Sequence, residues 1–216
     1  MPPKTASLLS WDYADGARHN FSPASVRHAP GLYIASAPGA ELPGWGTGEA
    51  DVGMRMMSLT SWLDLVFKVK IKHVICLMDS DELQKRYSDL GDGGLASTCT
   101  SQGLTFKQVQ LGEGEWPSPP AAAQAFAAIR QVLLSLLSGS EEDRTVVLVC
   151  PTGESCSAAV AAAYLCWNSP GLGAAEAAKV VEESALDVGS CLDPLAAFAD
   201  ADEFAGFVSE VVKLAE

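Results

Sequence analysis

The sequence predicts an α/β fold, with one central and mostly parallel sheet flanked by helices. Short apolar runs of strand length, at 32–35, 73–78, 104–111 and 146–149, alternate with longer stretches of helical periodicity. Apolar residues make up 48% of the 216, enough to fill one core. No internal repeat or long linker divides the chain. Strands alternating with helices pair naturally in parallel, because each helix carries the chain back across the sheet.

Residues 1–30 are polar and irregular in pattern, with aromatics at Trp11, Tyr13 and Phe21. They read as an N-terminal arm, and 31–216 as the domain. Residues 32–35 (LYIA) make the first strand, followed by the small-residue stretch 36–39 and the Gly/Trp-rich stretch 42–48. In 58–70, Leu59, Trp62, Leu63, Leu65, Val66 and Val69 recur at helical spacing, with Ser58 or Thr60 available as a cap. Residues 73–78 form a second buried strand. Asp79, Ser80, Asp81 and Glu82 then suit a helix N-terminus, in a helix running to about Leu90 before the glycines of 91–94.

Residues 104–111 alternate as a strand and lead into a loop, 112–120, that carries Glu113, Glu115 and Trp116. The helix 121–137 presents Phe126, Ile129, Val132, Leu133 and Leu136 on one face. A polar turn enters the apolar run 146–149, and an alanine-rich helix starts from Cys156. After a break at 168–173, residues 174–183 and 196–214 read as two more amphipathic helices.

The chemistry concentrates in VVLVCPTGESCSAAVAAAYLCW, residues 146–167. A buried strand that feeds a helix through a short glycine-containing turn aims several backbone N–H groups, and the helix's positive end, at one spot. That is an anion site. Cys150 faces the same spot, where a helix N-terminus favours thiolate over thiol. The alternative is a buried structural cysteine in a strand–turn–helix, and the local pattern leaves both readings open.

The stretch Val149-Cys150-Pro151-Thr152-Gly153-Glu154-Ser155-Cys156-Ser157 resembles the phosphate loop of cysteine-dependent protein tyrosine and dual-specificity phosphatases. The resemblance is to the cyclin-dependent-kinase-inhibitor-associated type, whose loop reads His-Cys-x-x-Gly-x-x-Arg-Ser/Thr. The stretch 71–82 (IKHVICLMDSDE) is similar to the matching strand and turn there, and the likeness covers about 31–185. It implies a phosphatase-like domain with Cys150 at the nucleophile, Gly153 at the loop glycine and Ser157 at the hydroxyl. It also implies a general acid at Glu113, with Glu115 next; read from the residues alone, these acids belong to a solvated acidic loop.

Cys156 stands where the family carries arginine, and Val149 where it carries histidine. A guanidinium gripping phosphate makes two charge-assisted hydrogen bonds of about 1.5–3 kcal/mol each, so its loss removes roughly two to four decades of rate or affinity. Glu154 adds a negative charge within the loop, and a compensating cation would have to come from elsewhere, such as Arg130 or Lys179. The resemblance therefore implies a catalytically impaired phosphatase-like protein acting as a binding, scaffold or structural module with a protein partner. The alternative is a weakly active phosphatase that forms a phosphocysteine at Cys150, with a phosphorylated ligand. Trp11, Trp45 and Trp116 read as exposed partner contacts.

A formal charge of −13, from 27 acidic and 14 basic residues, speaks against nucleic acid and anionic membranes as partners. The six cysteines (76, 99, 150, 156, 166 and 191) include no CxxC pair, and His19, His28 and His73 lie apart from most of them. Neither a metal nor a cofactor is expected. Reduced thiols and an intracellular, cytoplasmic location are expected, because 1–16 is too polar for a signal peptide. A disulfide between Cys150 and Cys156 is the one redox pairing the spacing suggests. Gly153-Glu-Ser155-Cys-Ser157 approximates the G-x-S-x-G elbow, but every histidine precedes Ser155, whereas that fold places its histidine afterwards. A rhodanese-like sulfur carrier wants a cationic loop, against which Glu154 counts.

Overall fold

All five side chains of β5 (Val146–Cys150) are buried, and a strand's two-residue period sends them to opposite faces. Val146, Leu148 and Cys150 join one apolar core, and Val147 and Val149 join another. Burial on both faces belongs to a parallel sheet between helical layers. The computed structural model, which describes residues 18–45, 47, 49–111, 118–140, 143–187, 198 and 200–215, has that arrangement. With β1 (Ser22–Ser25), β2 (Ala29–Ser36), β3 (His73–Cys76) and β4 (Thr105–Gln108), the sheet order is β1-β2-β5-β3-β4. Only β1 runs antiparallel to its neighbour; the other pairs are parallel. The register sets Ser36 of β2 opposite Cys150, and Cys76 of β3 opposite Val149.

Among the described residues, three helices cover the Val147/Val149 face: α1 (Val52–Lys68), α2 (Ser80–Tyr87) and α3 (Gly94–Ser101). Trp62 of α1, fully buried, anchors that core. The other face takes α4 (Pro119–Leu137), α5 (Ser155–Asn168), α6 (Ala174–Asp187) and α7 (Ala201–Leu214). Residues 158–165 of α5 are buried without exception. A helix that is apolar all round must sit inside, and α5 lies against β2 and β5 with α6 and α7 packed onto it. The helix α4 is long and apolar enough by composition to cross a membrane. Here its stripe of Ala122, Phe126, Ile129 and Leu133 is buried in the core.

Several sequence expectations change. The stretch read as an irregular arm contributes β1 and the start of β2. β1 (SPAS) has no apolar alternation; its pairing with β2, Ser22 opposite Ile34, makes it a strand. α1 starts before 58, and Asp51 rather than Ser58 or Thr60 caps it, its side chain accepting from the Met54 amide at 3.0 Å. Its first turns carry exposed Val52, Met54, Met56 and Met57, so burial periodicity could not mark them. α3 was not anticipated: GLASTCTS buries only Leu95 and Cys99. β4 is shorter than 104–111, and α7 begins at Ala201 rather than 196.

Candidate functional site

β5 ends at Cys150, whose carbonyl accepts from the Ala37 amide at 2.9 Å, so the strand's last residue is held by the chain leaving β2. The turn then folds back over that junction. Gly153 lies at φ +74°, and a Cβ on it would sit 2.3 Å from the Ser36 nitrogen and 2.7 Å from the Ala35 carbonyl carbon. Only glycine fits a left-handed position pressed so closely onto backbone. The Asn20 side-chain amide donates to the Thr152 carbonyl at 2.8 Å. Ala158 N–H donates to the Glu154 carbonyl at 2.9 Å, opening α5, and the Ser157 hydroxyl oxygen lies 3.4 Å from the Leu148 carbonyl oxygen. The first turn of α5 is therefore fastened directly over the end of β5. No side chain caps that helix.

Cys150 is 1% exposed. Burial pushes its thiol up, but hydrogen bonds from the Cys156 thiol, the Ser157 hydroxyl and the amides of Ser157 and Gly153 outweigh burial and bring it down to about 6. Cys156 moves the other way: donating its proton to Cys150 raises it first, burial next, and the charges of Cys150 and Glu82 add to this. Of the two, Cys150 is the thiol that is lowered and Cys156 the one that is raised. The other described cysteines stay protonated, with burial raising Cys76 and Cys99 to about 12 and Cys166 to about 11.

The loop residues named from sequence come together. Pro151, Glu154 and Cys156 are half-buried, Thr152 is exposed, and Gly153 and Ser157 are buried, while Ser155 opens α5. Glu113 and Glu115, with Trp11 and Trp116, lie outside the described residues. Trp45 is a correction: it is 5% exposed and lies beneath the Arg86 guanidinium, 3.7 Å from its ring, so it is core and not a partner contact. Arg130 lies over Trp167 at 5.4 Å and reaches the Ala215 carbonyl at 3.5 Å, and Lys179 pairs with Glu183 at 3.7 Å. Arg144 stands before β5, at the sheet's opposite end. Among the described residues no group of three or more His, Cys, Asp or Glu could hold a metal. Sequence reasoning missed Asn20, which reaches the loop from far away in the chain; no local pattern marks it.

The site is a buried cysteine with a lowered thiol, in an amide-lined turn at the head of a helix without a side-chain cap, with the Cys156 thiol beside it. No protein-family model and no curated protein matches this chain. Solved structures do resemble it. One is kinase associated phosphatase with its catalytic cysteine changed to serine: TM-score 0.56, 17% identity, 89% of this chain and 93% of that one. Another is the human tyrosine phosphatase-like serine/threonine/tyrosine-interacting protein: TM-score 0.53, 17% identity, with coverage of 89% and 93%. A third is Tk-PTP in its active form: TM-score 0.53, 14% identity, with coverage of 88% and 97%. With its five-stranded mixed sheet and helices on both faces, the chain has the α/β fold of the protein tyrosine phosphatases.

Proposed function

We propose that this chain is a phosphatase-fold binding module whose catalysis is impaired. One observation carries the reading: the side chain facing Cys150 from the first turn of α5 is a neutral thiol, Cys156, where phosphoryl transfer needs a fixed cation. Glu154 adds a negative charge within the loop, whereas Glu82 is paired with Arg86 at 2.8 Å. An anion approaching Cys150 meets amide donors but no cation within the loop 150–157 to hold its oxygens, and the cost is roughly two to four decades in rate. The partner is a protein. The exposed apolar side chains Val52, Met54, Met56 and Met57 in the first turns of α1, at 51%, 48%, 46% and 74% exposure, support this. They lie at the loop's end of the sheet, where Ser58 accepts from the Gly39 amide just beyond β2.

A second reading, a weakly active phosphatase, rests on the lowered thiol of Cys150, which keeps a nucleophile ionised at neutral pH. Hydrolysis of an aryl phosphate separates the two, measured on the wild type, Cys150→Ser and Cys156→Arg. The proposal expects a silent wild type and a gain in Cys156→Arg. Wild-type turnover that Cys150→Ser abolishes would overturn it in favour of the second reading.

A further inference from the structure

The end of the sheet away from Cys150 carries a second concave site. A cavity of about 690 Å³ opens between the start of β2, the turn from α1 into β3, the turn from α3 into β4 and the residues entering β5. Lys70, Lys72 and Arg144 line it, and no acidic side chain does among the described residues. The chain holds 27 acids against 14 bases, so an acid-free wall with three cations is far from its average surface. Among the described residues none of the three forms an ion pair with an acidic side chain. Asp143, the chain neighbour of Arg144, accepts from the Ser140 hydroxyl at 2.7 Å instead. Three like charges on one wall repel, and an anion between them relieves that repulsion.

The backbone holds the three in place. The Lys72 amide donates to the Thr145 carbonyl at 3.1 Å, the Thr145 hydroxyl to the Lys70 carbonyl at 2.6 Å, and the Thr105 amide to the Lys72 carbonyl at 2.9 Å. Gly31 of β2 passes so near that a Cβ on it would lie 2.6 Å from the Arg144 carbonyl oxygen. Lys70 itself follows α1 at φ +61°. The amides of Lys70 and Ile71 donate back to the carbonyls of Phe67 and Val66, at 3.0 and 2.9 Å. That is the left-handed helix ending which glycine usually fills, because a side chain there is strained. The strained backbone at this position delivers a cation to the cavity wall.

We infer that this cavity binds a small organic diphosphate with a flat apolar body, a ligand of the nucleoside diphosphate kind. A phosphate group brings about −1.5 to −2 charge when terminal, so a diphosphate matches three cations. Tyr33 and Phe67 also line the cavity, Phe67 with 44% of its surface exposed, and offer apolar faces beside the charges. The volume lies within the range of roughly 300–1,000 Å³ that suits small molecules. A large acidic partner would bring its whole surface against a chain of charge −13. A small anion inside the cavity meets the local cations, while charges beyond about 8–10 Å are screened. The site stands at the opposite end of β5 from the loop, so it is independent of whether Cys150 is active.

The test is calorimetric titration of ADP into the full chain at low salt and without metal ions, beside pyrophosphate, adenosine and a hexaglutamate peptide. ADP should bind at least about tenfold more tightly than pyrophosphate or adenosine, and its affinity should fall as salt is added. Lys72→Ala and Arg144→Ala should each weaken ADP at least about tenfold, as the loss of a charge-assisted hydrogen bond does. Lys70→Gly separates site from scaffold. It relieves the left-handed backbone, so the urea midpoint should rise while ADP binding weakens. A wild type that does not bind ADP would overturn the proposal. So would undiminished binding in Lys72→Ala and Arg144→Ala, which would put the anion elsewhere, or a Lys70→Gly that gains stability and binds ADP as before. Pyrophosphate binding as tightly as ADP would remove the apolar body from the assignment, and hexaglutamate binding more tightly than ADP would replace the small molecule with an acidic protein segment.

Discussion

Two neighbouring strands in this molecule end in cysteine, turn and enter a helix, and their cysteines behave in opposite ways. β3 ends at Cys76, and the Asp79 carboxylate caps α2, accepting from the Glu82 amide at 2.6 Å. β5 ends at Cys150, and α5 has no side-chain cap. Burial raises Cys76 to about 12, with a backbone hydrogen bond only partly offsetting it. Cys150 is buried just as deeply, yet it falls to about 6 because the Cys156 and Ser157 side chains and the amides of Gly153 and Ser157 all donate to it. The free N–H groups at a helix start must find an acceptor. When the turn supplies its own carboxylate, the unit is structural. When it does not, the acceptor can be a thiolate or an incoming anion, and the same topology becomes a site.

The largest effect lies in the contrast itself. At pH 7 the thiolate fractions of Cys150 and Cys76, set by values of about 6 and about 12, differ by roughly five decades. Iodoacetamide mapping on the native protein should label Cys150 and spare Cys76. The rate at Cys150 should fall about tenfold per pH unit below 6, where the thiol gains its proton. Equal labelling of both would erase the contrast.

Gly153→Ala comes next. A side chain at φ +74° costs ~1–3 kcal/mol, and its Cβ would collide with the backbone of Ser36. The urea midpoint should drop, and Cys150 labelling should slow as the loop lifts from β2. An unchanged midpoint would mean that the turn does not rest on β2.

Ser157→Ala removes one donor to the thiolate while leaving the amides in place. The Cys150 titration midpoint, followed by thiolate absorbance, should rise by about one unit. An unmoved midpoint would assign the lowering to the amides and Cys156 alone.

Asp79→Ala is the smallest. Losing a cap costs about 1 kcal/mol, so the melting temperature should fall by several degrees while the pH profile of Cys150 labelling stays put. A shifted profile would show that the two strand–turn–helix units are coupled rather than parallel.

Much of this was legible in sequence because it is local. The apolar run 146–149, the glycine three residues after Cys150 and the alanine-rich stretch beyond announce strand, tight turn and buried helix by residue type alone. The carboxylate of Asp79 announced the start of α2 in the same way. The elements that were missed carry weak local signals. β1 has a proline and three small residues, and it is a strand because β2 offers it hydrogen bonds. α3 is built from small polar residues and buries two side chains. Trp45 looked exposed amid glycines, yet it is sealed beneath Arg86.

The sequence by itself determined the order of elements apart from β1 and α3, the burial of β5 and the composition of the loop, including its lack of a cation, because periodicity and residue chemistry are written along the chain. The tertiary structure decided what the cysteines are. Whether a buried thiol is held at about 12 or drawn to about 6 depends on donors converging from the turn and the first turn of a helix. That convergence requires Gly153 to rest on β2, a strand more than a hundred residues earlier in the chain. Electrostatics at a buried atom is a sum over neighbours in space, and spacing along the chain carries only part of that sum.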